Sequence, residues 1–129
     1  MKKIRLQFLG GCKEVEGACY LLTIDKEKIL IDSGSHQNGI NNFNSQNSLK
    51  PSEIKAIILT HAHLDHTGRL PLFYKNGFRG KIYATPPTKD FTEKLLLDAL
   101  NILQEKAEEE HRRPPYSLKE IEGVMSLFE

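Results

Sequence analysis

The chain has 129 residues, 39% of them apolar and 27% charged, which is the composition of one ordinary globular domain spanning 1–129. Eighteen basic residues against seventeen acidic ones leave a net charge of +1, so bulk charge gives no sign of a polyanion partner and any such partner must be read from a local site. No stretch reaches the roughly 20 consecutive apolar residues of a membrane span, and the opening residues lack the apolar run of a secretory signal, so the expectation is a cytoplasmic protein with no membrane contact.

In chain order, residues 4–9 read as a first strand ending at Gly10-Gly11, and residues 18–24 as a second, rich in β-formers. Cys12 and Cys19 flank the turn between them and have neither metal-ligand spacing nor the density of a disulfide-stapled domain, so both are expected as free thiols. Asp25-Lys26-Glu27-Lys28 is a polar turn. The apolar run 29–31 then ends in Asp32-Ser33-Gly34, which places a carboxylate where a strand gives way to a loop, the position at which α/β sheets tend to present chemistry. Residues 35–52, dense in Asn, Ser, Gln and Gly, read as a surface loop that carries His36 beside the site.

Residues 56–59 form a short apolar run suited to a strand buried on both faces, and it delivers the chain into Thr60-His61-Ala62-His63. Residues 66–76 predict a short helix made irregular by Pro71, with Leu70, Leu72 and Phe73 inward and a stop at Gly77. Residues 81–84 are a further strand. Thr85 before Pro86-Pro87 opens a long helix, because proline is tolerated in a first turn. Along that helix Leu96, Ala99, Leu100, Leu103 and Ala107 repeat at core spacing, while Glu105, Glu108, Glu109 and Glu110 can pair with Arg112 and Arg113 around a surface His111. After Pro114-Pro115, Ser117-Leu118-Lys119-Glu120 has the form of a capping box, and its helix is expected to run to residue 129, as in a chain cut within a larger domain.

Three of the five histidines and one of the five aspartates fall within six residues, as His61, His63, Asp65 and His66. In an extended turn, residues i and i+2 project to one side, so His61 and His63 can grip one metal ion together while Asp65 and His66 face a second. Neutral imidazole and carboxylate oxygen suit a zinc-like ion that keeps an open coordination position. Two such ions, roughly 3.5–4 Å apart, can stabilise both the attacking and the leaving oxygen of a displacement.

Thr60-His61-Ala62-His63-Leu64-Asp65-His66-Thr67-Gly68 after an apolar strand resembles the HxHxDH signature of the metallo-β-lactamase superfamily. That resemblance implies a zinc-dependent hydrolase with two ions, His61 and His63 on the first and Asp65 and His66 on the second. Asp65 would handle the proton of the attacking water as the catalytic residue, and Asp32 would orient the imidazoles from behind. Leu9-Gly10-Gly11-Cys12-Lys13-Glu14-Val15, Asp32-Ser33-Gly34-Ser35-His36, Tyr83-Ala84-Thr85-Pro86-Pro87-Thr88, Leu95-Leu96-Leu97-Asp98 and the Pro-Pro-Tyr116-Ser117 segment resemble, more narrowly, the β-CASP branch of RNA-processing nucleases. The fold this implies is α/β: part of an αββα sandwich, with a mixed sheet of five to six strands, helices on one face and the other face incompletely covered. The branch's further histidine, bridging aspartate, last histidine and inserted β-CASP domain have no counterpart within these residues. RNA phosphodiester hydrolysis is therefore the leading expectation. A hydrolase of a thioester, lactone or β-lactam is the alternative, and a non-catalytic fragment that self-associates or assembles with a complementing chain is a third.

Overall fold

The computed structural model describes residues 1–35 and 49–129. Five strands make one mixed sheet in sequence order: β1 (Ile4–Gly10), β2 (Cys19–Ile24), β3 (Glu27–Ile31), β4 (Ile54–Ile58) and β5 (Lys81–Tyr83). The first three pair antiparallel, and β3, β4 and β5 run parallel. Helices α1 (Leu64–Thr67), α2 (Leu70–Lys75), α3 (Pro86–Glu109) and α4 (Leu118–Met125) complete the fold, with a short 3-10 turn at Pro51–Glu53 inside the stretch read as loop. The polar turn after β2 is tighter than its sequence implies. Only Asp25 and Lys26 turn, Asp25 with a positive φ of 54°, and Glu27 and Lys28 already belong to β3.

Strand alternation sorts the apolar side chains onto two faces. Leu21, Leu30, Ile57 and Ile82 lie opposite one another across β2 to β5 and are buried. They pack against Leu70, Phe73 and Val124 of α2 and α4. One residue along, Phe8, Tyr20, Ile31, Ile58 and Tyr83 form the next row on the opposite face, where Phe8, Ile58 and Tyr83 remain exposed. Helices on one face and an incompletely covered second face are thus observed among the described residues.

A second apolar cluster forms farther from the sheet, where Leu96 and Leu100 of α3 meet Leu72, Tyr116 and Ile121. Thr85 caps α3 as its proline-led start implies, its hydroxyl accepting the Thr88 N–H, and the Ser117–Glu120 capping box opens α4.

Four expectations are corrected. The helix read over 66–76 is two helices, because Gly68 ends α1 and Pro71 sits in the first turn of α2, where its missing N–H breaks no helical bond. The last helix stops at Met125. The chain then extends, Phe128 bridges Ile82 of β5, the Ile82 and Glu129 backbones bond back to Leu127 and Ile82, and Lys81 pairs with Glu129 at 2.6 Å. Pairing the edge of β5 satisfies backbone groups that continued helix would leave open. Third, Ala99 is not core but half-buried beside a cleft, whereas Leu96, Leu100 and Ala107 are buried. Of the expected glutamate–arginine pairs, Arg112 meets Glu110 two positions away rather than a partner four away, since the helix has already ended at Glu109. His111, past that end with φ 53°, is exposed as expected.

Both cysteines are free, Cys12 exposed and Cys19 buried. No helix of the described residues is long and apolar enough to cross a membrane. His36 lies outside the described residues.

Candidate metal centre

The site is built at the carboxyl ends of β3 and β4. Being adjacent and parallel, these strands release their chains side by side, with the Asp32 N–H bonded to the Ile58 carbonyl at 3.0 Å as the last rung. Asp32 then adopts φ 59°, a left-handed conformation that aspartate tolerates better than most residues, and this turns its buried carboxylate towards β4. There it accepts the Thr60 N–H at 2.8 Å on Oδ1, and the Thr60 hydroxyl at 2.7 Å and His66 Nδ1 at 2.7 Å on Oδ2.

These bonds dictate the tautomers. An ionised carboxylate only accepts, so His66 carries its proton on Nδ1 and presents the Nε2 lone pair to the site. The Thr60 hydroxyl has one hydrogen, which goes to Asp32. It must therefore accept from its other neighbour, His61 Nδ1, at 3.0 Å, which again leaves Nε2 as the free lone pair. Asp32 thus orients one imidazole directly and a second through Thr60. Hydrogen-bonded partners of this kind behind a ligand typically govern metal affinity by roughly 10–100-fold. Thr60 was not marked as a site residue in the sequence, although its place immediately before His61 was the available signal.

Donor atoms of His61, His63 and Asp65 lie within 4.8 Å of one another. His66 Nε2 is 3.5 Å from Asp65 Oδ2, and the His66 ring lies 3.9 Å from that of His61, centroid to centroid. Three motif residues therefore bring their donor atoms together, and His66 lies beside them, against both Asp65 and the His61 ring. A divalent cation fits this donor set: the imidazole nitrogens of His61 and His63 and a carboxylate oxygen of Asp65 lie close together, and hydrogen bonds leave Nε2 of His61 and of His66 as the free lone pair. His63 is exposed and the other three are half-buried, so the focus opens to solvent on the His63 side.

The backbone holds α1 against the loop after β3 and the residue before β2 through several bonds: Ser33 N–H to the His66 carbonyl, Ser35 N–H to that of Leu64 and Ala18 N–H to that of Asp65, at 2.7–3.0 Å. This close approach requires Gly34, since a Cβ there would sit 1.6 Å from the Asp65 carbonyl oxygen. Cys19, also buried, has its thiol pushed up to about 11 by burial, with the neighbouring Arg69 opposing the shift.

Beside the focus runs a cleft of about 560 Å³, with His63 and Asp65 at one end and α3 along its side. Its floor includes Tyr116, 2% exposed, whose hydroxyl is pushed up to about 12 by burial and so stays protonated.

Among known proteins, the chain is 39% identical over 123 residues to a transcription termination factor FttA of Methanosarcina mazei, the match covering 88% of this chain and 18% of that protein. It is 39% identical over 103 residues to ribonuclease TTHA0252 of Thermus thermophilus, covering 79% and 24%. It spans about a fifth of the length of these curated relatives. Among solved structures it is similar to the metallo-beta-lactamase GOB-18 of Elizabethkingia meningoseptica, with 35% identity, a TM-score of 0.46 and coverage of 60% of this chain and 28% of that one. The family model of the metallo-beta-lactamase superfamily matches residues 13–127, nearly the whole of the sequence. A single sheet that ends in a converging His61, His63, Asp65 and His66 backed by Asp32, together with that match, makes this chain a member of the metallo-β-lactamase superfamily.

Proposed function

We propose that this chain supplies the metal-holding part of a nuclease of the β-CASP branch, which hydrolyses RNA phosphodiester bonds with zinc as its metal. The observation that carries the reading is the convergence of His61, His63 and Asp65, with the His61 and His66 tautomers set by Asp32. The similarity to a protein named a ribonuclease supports RNA over other substrates. His61 and His63 would hold one ion, and Asp65 and His66 a second.

Bound there, zinc supplies Lewis acidity to a phosphoryl oxygen and makes water more acidic. The chain's own residues do the rest. Asp65, close to His61 and His63 on one side and to His66 Nε2 at 3.5 Å, would accept the proton of the attacking water as catalytic base. Asp32 and Thr60 would hold the His66 and His61 imidazoles in their orientations during reaction. Opening of the focus towards His63 lets a strand reach it without threading. The cytoplasm, where RNA is made and matured, is the compartment that goes with this reading.

The test is metal analysis alongside cleavage of end-labelled RNA by the protein at the length it has in its cell. Two zinc ions per chain and metal-dependent cleavage abolished by His63→Ala are expected. RNA left intact at full metal occupancy would overturn the reading.

A further inference from the structure

Helix α3 carries two apolar stripes, of which one is buried and the other borders a cleft. Leu96, Leu100 and Ala107 are buried against the rest of the molecule. Leu95, Ala99, Ile102 and Leu103, spaced three and four apart, form a second stripe that lines the cleft, where Ile102 is 55% exposed. An exposed isoleucine in such a stripe is costly to solvate, and the cleft that the stripe lines is also lined by His63 and Asp65.

We infer that this cleft is a seat for the nucleobase and ribose next to the phosphodiester held at the metal centre, with the α3 stripe and Tyr116 as its walls. The inference rests on the RNA-hydrolysis reading and deepens it. A nucleotide is a compact anion joined to a flat, largely apolar body with a polar edge. The histidine and aspartate focus takes the anion through its cations, and the body then has to lie beside it.

Size agrees, since about 560 Å³ falls within the roughly 300–1,000 Å³ of small-molecule sites. Charge agrees as well. Among the described residues that line the cleft, Glu16 and Asp98 stand against one lysine, Lys106, which disfavours a second phosphate there, while Asp98 and Lys106 offer an acceptor and a donor to the edge of a base. Apolar walls with a few polar groups at the rim are the chemistry that holds a base by its faces and reads its edge.

The experiment measures binding rather than turnover. The zinc-loaded protein, at the length it has in its cell, is titrated with adenosine 5′-monophosphate, ribose 5-phosphate, inorganic phosphate and octanoate. Adenosine monophosphate is expected to bind at least tenfold more tightly than ribose 5-phosphate. Ala99→Trp, which fills the cleft, should erase that preference while metal content and helical circular dichroism stay unchanged. Ile102→Asp, at an exposed position that tolerates substitution, should reduce it several-fold and guards against a folding defect in the tryptophan variant. Equal affinity for the two sugar phosphates, a preference untouched by both variants, or tight octanoate binding with weak nucleotide binding would each overturn the nucleobase seat. Labelled RNA offered in parallel separates the two readings. Intact RNA with the base preference retained overturns hydrolysis but leaves the seat standing, whereas cleavage without the preference overturns the seat alone.

Discussion

Two adjacent rows of side chains cross the same sheet and meet opposite fates. Leu21, Leu30, Ile57 and Ile82 face the helices and are buried, while Phe8, Ile58 and Tyr83, one step along their strands, face outward at 60%, 43% and 44% exposure. Both rows are apolar, so hydropathy does not tell them apart. What separates them is whether a helix packs on that side. The site belongs to neither row: it sits where the strands end, and there hydrogen bonds rather than apolar burial fix each side chain.

The largest effect should come from crowding the junction between sheet and site. Gly34→Ala forces a methyl against the Asp65 carbonyl oxygen, so the β3 loop and α1 must separate. Loss of zinc binding together with a fall in stability of several kcal/mol is expected, measured by metal analysis and urea unfolding. Wild-type metal affinity in this variant would refute the close packing.

Next in size is the buried row itself. Ile57→Ala removes a fully buried side chain and should cost about 2–5 kcal/mol, whereas Ile58→Thr on the outward row should stay within about 0.5 kcal/mol. Equal costs would show that the outward face is covered in the protein as it exists, and the contrast between the rows would then vanish.

The site's wiring should respond in steps. Asp32→Asn removes the acceptor shared by His66 and Thr60 and is expected to weaken zinc binding by roughly 10–100-fold. Thr60→Val keeps the backbone bond to Asp32 and the Asp32–His66 bond but removes the hydroxyl that bonds both Asp32 and His61, so its loss should be smaller. A Thr60→Val effect as large as that of Asp32→Asn would mean that His61, not His66, depends most on the relay.

Smallest at neutral pH, where it does not yet act, is an electrostatic effect. Burial raises the Cys19 thiol from 9.0 to about 11, and a folded-state value above the unfolded one favours the protonated, folded form. Its contribution to stability is therefore complete below about pH 9 and lost as the pH rises towards 11, by up to roughly 1.4 kcal/mol per unit. Iodoacetamide at pH 8 should label Cys12 and spare Cys19, with mass spectrometry as the readout.

The sequence by itself determined the order of elements, because alternation, Pro86-Pro87 behind Thr85 and the Ser117–Glu120 box are local signals that tertiary packing had no reason to override. The motif was legible too: residues two apart in an extended turn project together, which brings His61 and His63 close, while helix α1 carries Asp65 to within 4.8 Å of both. Only the tertiary structure decided which face of the sheet is covered, that Thr60 relays Asp32 to His61, and that Ala99 lines a cleft instead of the core. Those outcomes depend on which strands run side by side and which helix crosses which end. Such contacts join residues far apart in the chain, and no periodicity within a single segment encodes them.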